Sequence, residues 1–216
     1  MLDVQRSQPT PHYAPSRRGP PSYPPKPVSR SQQKDLFTIH ESCIYLIMNG
    51  KDVLVLIKIL NLGQRKSYQE LARDLGMSVG AVHQAVRKGV KSGLLSADRH
   101  EAIPHAMEEW FLYGIRYFIP LVRSSRGRGM PTGLAAPPFT EWFPEHPDDI
   151  WVWPDAEGTR RGELVEPIFT SAPYAAKQDP DLYAWLVVLD VIRGGRARER
   201  NLATQWVKER LSSVAG

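Results

Sequence analysis

The part of the chain that most constrains the fold is residues 67–95, SYQELARDLGMSVGAVHQAVRKGVKSGLL. Ser67 followed three residues later by Glu70 is the pattern of a capping box, in which each side chain bonds to the other residue's backbone amide. Apolar residues then recur on one face at helical spacing, at Tyr68, Leu71, Ala72 and Leu75. Gly76 follows, and a tight turn favours glycine because it adopts a positive φ without steric cost. The pattern predicts a short helix and a turn.

A second helix is predicted to begin at Ser78, whose hydroxyl can accept a hydrogen bond from a backbone amide at the helix start. Its buried face is predicted from four valines on one stripe: Val79, Val82, Val86 and Val90. The opposite face is polar and basic. Two short helices joined in this way are typical of a helix-turn-helix that binds DNA, and an ordinary helical hairpin with a solvated basic face is the alternative.

The predicted DNA contacts come mostly from this second helix. Gln84 can form a paired hydrogen bond with an adenine edge, and Gly80 lets the backbone approach a groove closely. The basic side chains of the same face can contact phosphates or guanine. The predicted set is Ser78, Gly80, His83, Gln84, Arg87, Lys88 and Lys91, together with Arg99 at the tip of a short hairpin over residues 94–103. An exposed turn without contacts is the alternative for Arg99.

Ala72 in the first helix, Gly76 in the turn and Val82 in the second helix resemble the winged helix-turn-helix of bacterial transcription regulators, most of all the MarR-like group. The resemblance covers about residues 51–120. It implies a recognition helix in the major groove of DNA and a homodimer. The residues after Pro120 do not match the family's usual all-helical ending, which leaves the mode of dimerisation open.

Composition and charge divide the chain into three predicted parts. Residues 1–34, with six basic side chains and one acidic, are predicted to be a disordered proline- and arginine-rich tail. Residues 35–120 are predicted to be the DNA-binding domain, and residues 121–216 a C-terminal extension for dimerisation, partner binding or sensing. Residues 51–100 hold nine basic and four acidic side chains, whereas residues 101–190 hold seven and fourteen. This contrast fits a protein that presents one face to nucleic acid.

The predicted fold is mainly α, with a β-hairpin and a helical hairpin in the C-terminal extension. Asp52 is predicted to cap a helix that is apolar almost all round and ends at Gly63. A long helix with an apolar stripe from Ile103 to Phe118 is predicted to start at Pro104. Residues 123–129 are interpreted as a flexible connector, residues 150–169 as the β-hairpin and residues 179–211 as the helical hairpin.

Two tryptophans of the predicted hairpin, Trp151 and Trp153, alternate along a strand and so share one face. Packing of this face against Trp110 or Phe118 in the core is the first interpretation. The second is a partner-binding patch, because acidic residues nearby would form a polar rim around an apolar centre.

The sequence shows no pattern typical of a catalytic site or a nucleotide-binding loop, so we expect no enzyme and no cofactor. A metal site is not expected either, because His100 and His105 would point about 140° apart on a helix. The single cysteine, Cys43, excludes an internal disulfide and is interpreted as a buried structural thiol. The longest apolar stretch is too short to span a bilayer, and a cytoplasmic protein is expected.

Together these features predict a sequence-specific transcription regulator, specifically a repressor that binds double-stranded DNA as a homodimer. The alternative is an antitoxin or adaptor of a two-gene defence system, which binds the protein encoded by the adjacent gene through its C-terminal region. A small-molecule sensor between residues 120–169 and the long helix is a third possibility.

Overall fold

A computed structural model describes residues 47–61, 66–142 and 150–214. The chain is mainly helical with a small three-stranded sheet, which agrees with the predicted combination of helices and strands. The predicted disordered tail, Cys43 and Gly63 lie outside the described residues. The elements are α1 (Gly50–Leu60), α2 (Tyr68–Asp74), α3 (Val79–Lys91), α4 (Pro104–Glu109), a π-helical segment (Trp110–Gly114), α5 (Ile115–Phe118), β1 (Arg123–Thr132), two short 3-10 helices (Gly133–Ala135 and Phe139–Glu141), β2 (Trp151–Pro154), β3 (Arg160–Val165), α6 (Ala172–Gln178), α7 (Pro180–Gly194) and α8 (Ala197–Val214).

Helix α1 is buried on every side in its middle, where residues 53–57 are fully inaccessible, as its apolar sequence predicted. Its N-cap is Asn49, so the prediction of Asp52 as the cap was wrong. Asp52 is instead the third helical residue of a capping box, and its carboxylate accepts a 3.0 Å hydrogen bond from the Asn49 amide. Asp52 therefore sits one turn deeper than predicted, at a position with no solvent exposure.

Helices α2 and α3 form as predicted. Ser67 and Glu70 make a capping box at the start of α2, Gly76 has a φ of 61°, and the Ser78 hydroxyl accepts from the Ala81 amide at 3.2 Å. The predicted buried stripe was wrong at Val79, which is 45% exposed. The buried residues of α3 are Val82, Ala85, Val86 and Gly89.

Close contact between α1 and α3 explains this rotation of the buried face. A Cβ added at Gly89 would lie 2.7 Å from Leu56 Cδ2 and 2.9 Å from Leu95 Cδ1, so only glycine lets these side chains come so near. The contact is centred on Gly89, and the buried stripe therefore turns towards Ala85 and away from the first residue of the helix.

Residues 94–103 form the predicted minimal hairpin. Leu95 and Ala102 make a single antiparallel bridge, and the Ile103 amide donates to the Leu94 carbonyl at 2.9 Å. The turn ends at His100, which has a φ of 56°.

The helix that starts at Pro104 is interrupted by the π-helical segment. The wider π turn keeps residues four apart on one face, so the buried side chains are Met107, Phe111 and Ile115. The predicted stripe was therefore wrong at both ends: Ile103 is 37% exposed and Phe118 is 74% exposed.

The sheet differs from the prediction in two ways. Residues 123–129 belong to β1 and are not a connector, and β2 and β3 do not form a hairpin with each other. Each of them pairs antiparallel with β1, and they run parallel to one another where Trp151 lies opposite Glu163, which closes a small barrel.

Glycines make this closure possible. A Cβ at Gly129 would lie 1.9 Å from the Trp153 carbonyl oxygen, and one at Gly162 would lie 2.3 Å from the Ile150 carbonyl oxygen. Of the glycines that made residues 123–129 resemble a loop, Gly129 is therefore a site of close backbone approach within a sheet, and Gly127 lies against the Leu164 side chain.

Helix α7 lies at the centre of the C-terminal part and is capped by Asp179, whose side chain accepts from the Leu182 amide at 3.0 Å, as predicted. It packs against α8 in the predicted helical hairpin. One hydrophobic core includes α1, α3 and α7, so residues on both sides of Pro120 contribute to it. No helix in the described ranges is both long enough and apolar enough to cross a membrane.

Candidate nucleic-acid interface

The solvent-facing side of α3 carries most of the predicted DNA contacts. Its exposed residues are spaced by three, four and seven positions, so they lie on one side of the helix. A Cβ added at Gly80 would meet no atom within 4 Å, which leaves open space above the start of the helix. The exposed predicted residues on this side are Gly80, His83, Gln84, Arg87 and Lys91, and we call them the α3 face.

Ser78 and Arg99 flank the α3 face. Ser78 is exposed, and its hydroxyl caps α3. The Arg99 side chain is 71% exposed and lies 3.7 Å from Asp98, so it is available at the tip of the hairpin.

Tyr68 connects the α3 face to the hairpin, a role that the sequence did not suggest. Its ring lies 5.8 Å from the His83 ring and 6.5 Å from the His100 ring, and its hydroxyl is 3.0 Å from His100 Nδ1. The sequence placed Tyr68 only on the apolar side of α2. His100, which has a φ of 56°, is thus the hairpin residue that contacts Tyr68.

Lys88 was wrongly predicted as a DNA contact. Its Nζ lies 2.7 Å from the Asp52 carboxylate and donates to the Ile47 carbonyl at 3.0 Å, and its side chain is only 14% exposed. Because Asp52 is fully buried, this ammonium is its counter-charge. The signal in the sequence was an acidic residue beside the apolar run of α1, since a buried carboxylate needs a basic partner.

Trp151 and Trp153 do not form an exposed patch. They are 7% and 1% exposed, which corrects their assignment as partner-binding residues. The Trp153 ring packs on Tyr183 at 5.8 Å, and Arg123 stacks over Trp151 at 4.2 Å. The predicted packing partner Phe118 is itself exposed.

Trp153 also belongs to a buried polar cluster around Asp190. The Asp190 carboxylate accepts from Trp153 Nε1 and Thr132 Oγ1, each at 2.7 Å, and from Arg193 at 2.8 Å. Burial raises the pKa of Asp190, and the Arg193 guanidinium and the two neutral donors oppose that shift. Arg193 also donates to the carbonyl oxygens of Ile119 and Pro120. The cluster therefore ties the sheet and the end of α5 to α7.

The C-terminal part also contacts the turn that precedes α3. Ser171 donates to the Leu75 carbonyl at 2.6 Å, and the Tyr174 ring lies so close to Gly76 that an added Cβ would be 2.9 Å from it. Lys58 of α1 contacts Asp179 at 2.6 Å. These contacts hold α1 and the turn after α2 against α6 and the start of α7.

The two histidines that suggested a metal site, His100 and His105, have different contacts. His105 is 83% exposed beside Glu109, whereas His100 contacts Tyr68. Within the residues that the structure describes, no group of three potential ligands is close enough to hold a metal ion.

Comparisons of the chain with protein-family models, with curated proteins and with solved structures found no match. The α3 face offers an amide side chain, two flexible cations and an unobstructed glycine on one exposed helix. These groups suit an anionic partner with hydrogen-bonding edges.

Proposed function

We propose that this protein is a winged helix-turn-helix transcription regulator that inserts α3 into the major groove of double-stranded DNA. The observation that carries the proposal is the exposure of Gly80, Gln84 and Arg87 on one side of α3, with open space above Gly80. The major groove is about 12 Å wide and admits a helix, and small residues at the helix start allow the closest approach.

Each residue of the α3 face has a chemical role in this proposal. Gln84 reads an adenine edge through its amide, and Arg87 reads guanine or holds a phosphate. Lys91, one turn further along, contacts a phosphate and fixes the position of the helix. The hairpin acts as the wing, and Tyr68 sets its position relative to α3 through the two histidines.

In this proposal the protein is a cytoplasmic repressor that binds DNA as a homodimer, on two half-sites about 34–36 Å apart. A second copy would cover a surface of large apolar side chains near α5, where Tyr113, Tyr117, Phe118 and Val122 are each more than half exposed. Sedimentation velocity measures the oligomeric state, and a monomer at all accessible concentrations would remove the dimer from the proposal.

The test measures binding of the 216-residue chain to duplexes tiled across the region upstream of its own gene, by fluorescence anisotropy. Gln84→Ala/Arg87→Ala should lower affinity for the bound site by about 10- to 100-fold, with a smaller loss on unrelated duplex. The matched control is Gln205→Ala/Arg210→Ala, which removes the same two residue types from α8. Equal affinity and equal sequence preference in the two variants would contradict the proposal.

The alternative of an antitoxin or adaptor was motivated by the long acidic, tryptophan-bearing C-terminal region. Trp151 and Trp153 are buried, so these two side chains offer no exposed patch to a partner. We therefore propose no second function.

A further inference from the structure

A basic face on the small barrel is not explained by the proposed recognition helix. Arg128 of β1 lies directly opposite Arg161 of β3, and Arg126 lies opposite Glu163 two pairs further along. Residues that face each other across an antiparallel pair point to the same side of the sheet, and so do alternate residues of one strand. The three arginines therefore share one side, and all of them are exposed.

The sequence of β1 produces this arrangement. Gly127 and Gly129 alternate with Arg126 and Arg128, and each glycine lies where another part of the barrel comes close. The barrel therefore closes on the glycine side, and the arginines are left on the outside. The pattern that resembled a flexible connector is a strand with a crowded face and a charged face.

Two arginines directly opposite each other repel, and such a pair destabilises a sheet unless an anion lies near both. The neighbouring Arg123 is neutralised by Glu163 at 3.3 Å. Across the described ranges, neither Arg128 nor Arg161 has an acidic side chain within ion-pair distance. The fold thus holds two positive charges close together at a small cost in stability. Two neighbouring anionic groups of one polymer could each pair with one of these arginines.

We propose that the side of β1 and β3 that bears Arg128 and Arg161 binds the phosphate backbone of duplex DNA. Each guanidinium can donate two parallel hydrogen bonds to a phosphate, and the exposed position of both leaves room for an extended ligand. Contacts of this kind add affinity without reading the sequence. The inference deepens the proposed function, since it assigns a second DNA-binding surface, but it uses residues separate from the α3 face.

The test compares Arg128→Ala/Arg161→Ala with Lys208→Ala/Arg210→Ala on α8, which removes the same charge from the surface. Affinity of each 216-residue variant for an unrelated 24-base-pair duplex is measured at several salt concentrations. Loss of two phosphate contacts should reduce the slope of log K against log salt by about 1.8 and weaken binding about eightfold per contact near 0.1 M salt. The control variant should keep the slope of the unchanged protein.

Several outcomes separate this inference from the proposed function. If Arg128→Ala/Arg161→Ala and the control have the same slope, the inference is overturned whatever α3 does. If the slope falls but Gln84→Ala/Arg87→Ala has no effect, DNA binding by the barrel surface is supported and the proposed role of α3 is contradicted. Binding of labelled polyglutamate that depends on Arg128 and Arg161, with unchanged DNA binding, would overturn the inference in favour of an acidic protein partner. Thermal unfolding checks the fold, and removal of the repelling pair should not lower the midpoint.

Discussion

Replacement of Asp190 should be among the most destabilising single changes in this chain. Its carboxylate is fully buried and holds three donors, from Thr132, Trp153 and Arg193. Asp190→Ala would leave the Arg193 guanidinium, whose side chain is 2% exposed, without its counter-charge. Removal of one partner from a buried ion pair costs about 3–5 kcal/mol. The freed Trp153 and Thr132 donors add to that cost, since each buried donor without a partner loses about 1–3 kcal/mol.

Equilibrium urea unfolding measures this free energy, with tryptophan fluorescence as the signal because Trp153 reports on the site directly. The matched control is Asp181→Ala. Asp181 is also an aspartate of α7 paired with an arginine, Arg210, but its side chain is 62% exposed. An exposed pair contributes about 0–1 kcal/mol, so the control should lose little stability. The slopes against urea must agree before the free energies of unfolding are compared.

A double variant tests the electrostatic part of this reasoning. Asp190→Leu/Arg193→Met removes both charges, so it should be less destabilised than the sum of its single variants. If Asp190→Ala loses no more free energy of unfolding than Asp181→Ala, the buried cluster does not stabilise the fold and the reasoning is refuted.

Three further predictions concern the elements around α3. Lys88→Ala should cost about 3–5 kcal/mol of stability because it leaves the buried Asp52 unpaired. The control Lys91→Ala should change stability by less than about 0.5 kcal/mol. Equal losses of free energy of unfolding in urea would contradict this prediction. Gly89→Ala should cost about 1–3 kcal/mol through its clash with Leu56, whereas Gly80→Ala, with open space around it, should be neutral or stabilising; a destabilised Gly80→Ala would show that the α3 face is obstructed. Burial raises the pKa of Asp179, but the Lys58 ammonium and the Leu182 amide outweigh burial and hold the pKa below its usual value. The folded-state pKa is thus below the unfolded-state value of about 3.9, so this stabilisation is present above pH 4 and is lost as the pH falls further; Lys58→Met should flatten that loss in acid unfolding curves, and an unchanged pH dependence would contradict it.

Local signals in the sequence were enough to predict α2, the turn and α3. Capping boxes, a turn glycine and apolar periodicity act within a few residues, so Ser67, Gly76 and Ser78 could be placed correctly from neighbours alone. The same holds for Asp179 at the start of α7. These are positions where one hydrogen bond or one backbone conformation determines the residue type.

The failures arose where distant residues determine the structure. Arginine–glycine alternation in residues 123–129 is typical of a loop unless other strands approach the glycines, and those strands lie some 25 to 40 residues away. Lys88 looked like part of a basic face because its partner Asp52 lies 36 residues earlier. The π-helical segment shifted the buried face of a helix, and no local spacing rule anticipates that shift.

The position of α3 depends on the C-terminal part of the chain as well as on α1 and α2. Lys58 joins α1 to the start of α7, Ser171 bonds to the Leu75 carbonyl in the turn, and Arg193 holds the carbonyls at the end of α5. The C-terminal region, which the sequence assigned to dimerisation, partner binding or sensing, therefore also contacts the elements that support α3. A ligand or partner that displaced Ser171 from the Leu75 carbonyl would therefore act on the turn that precedes α3.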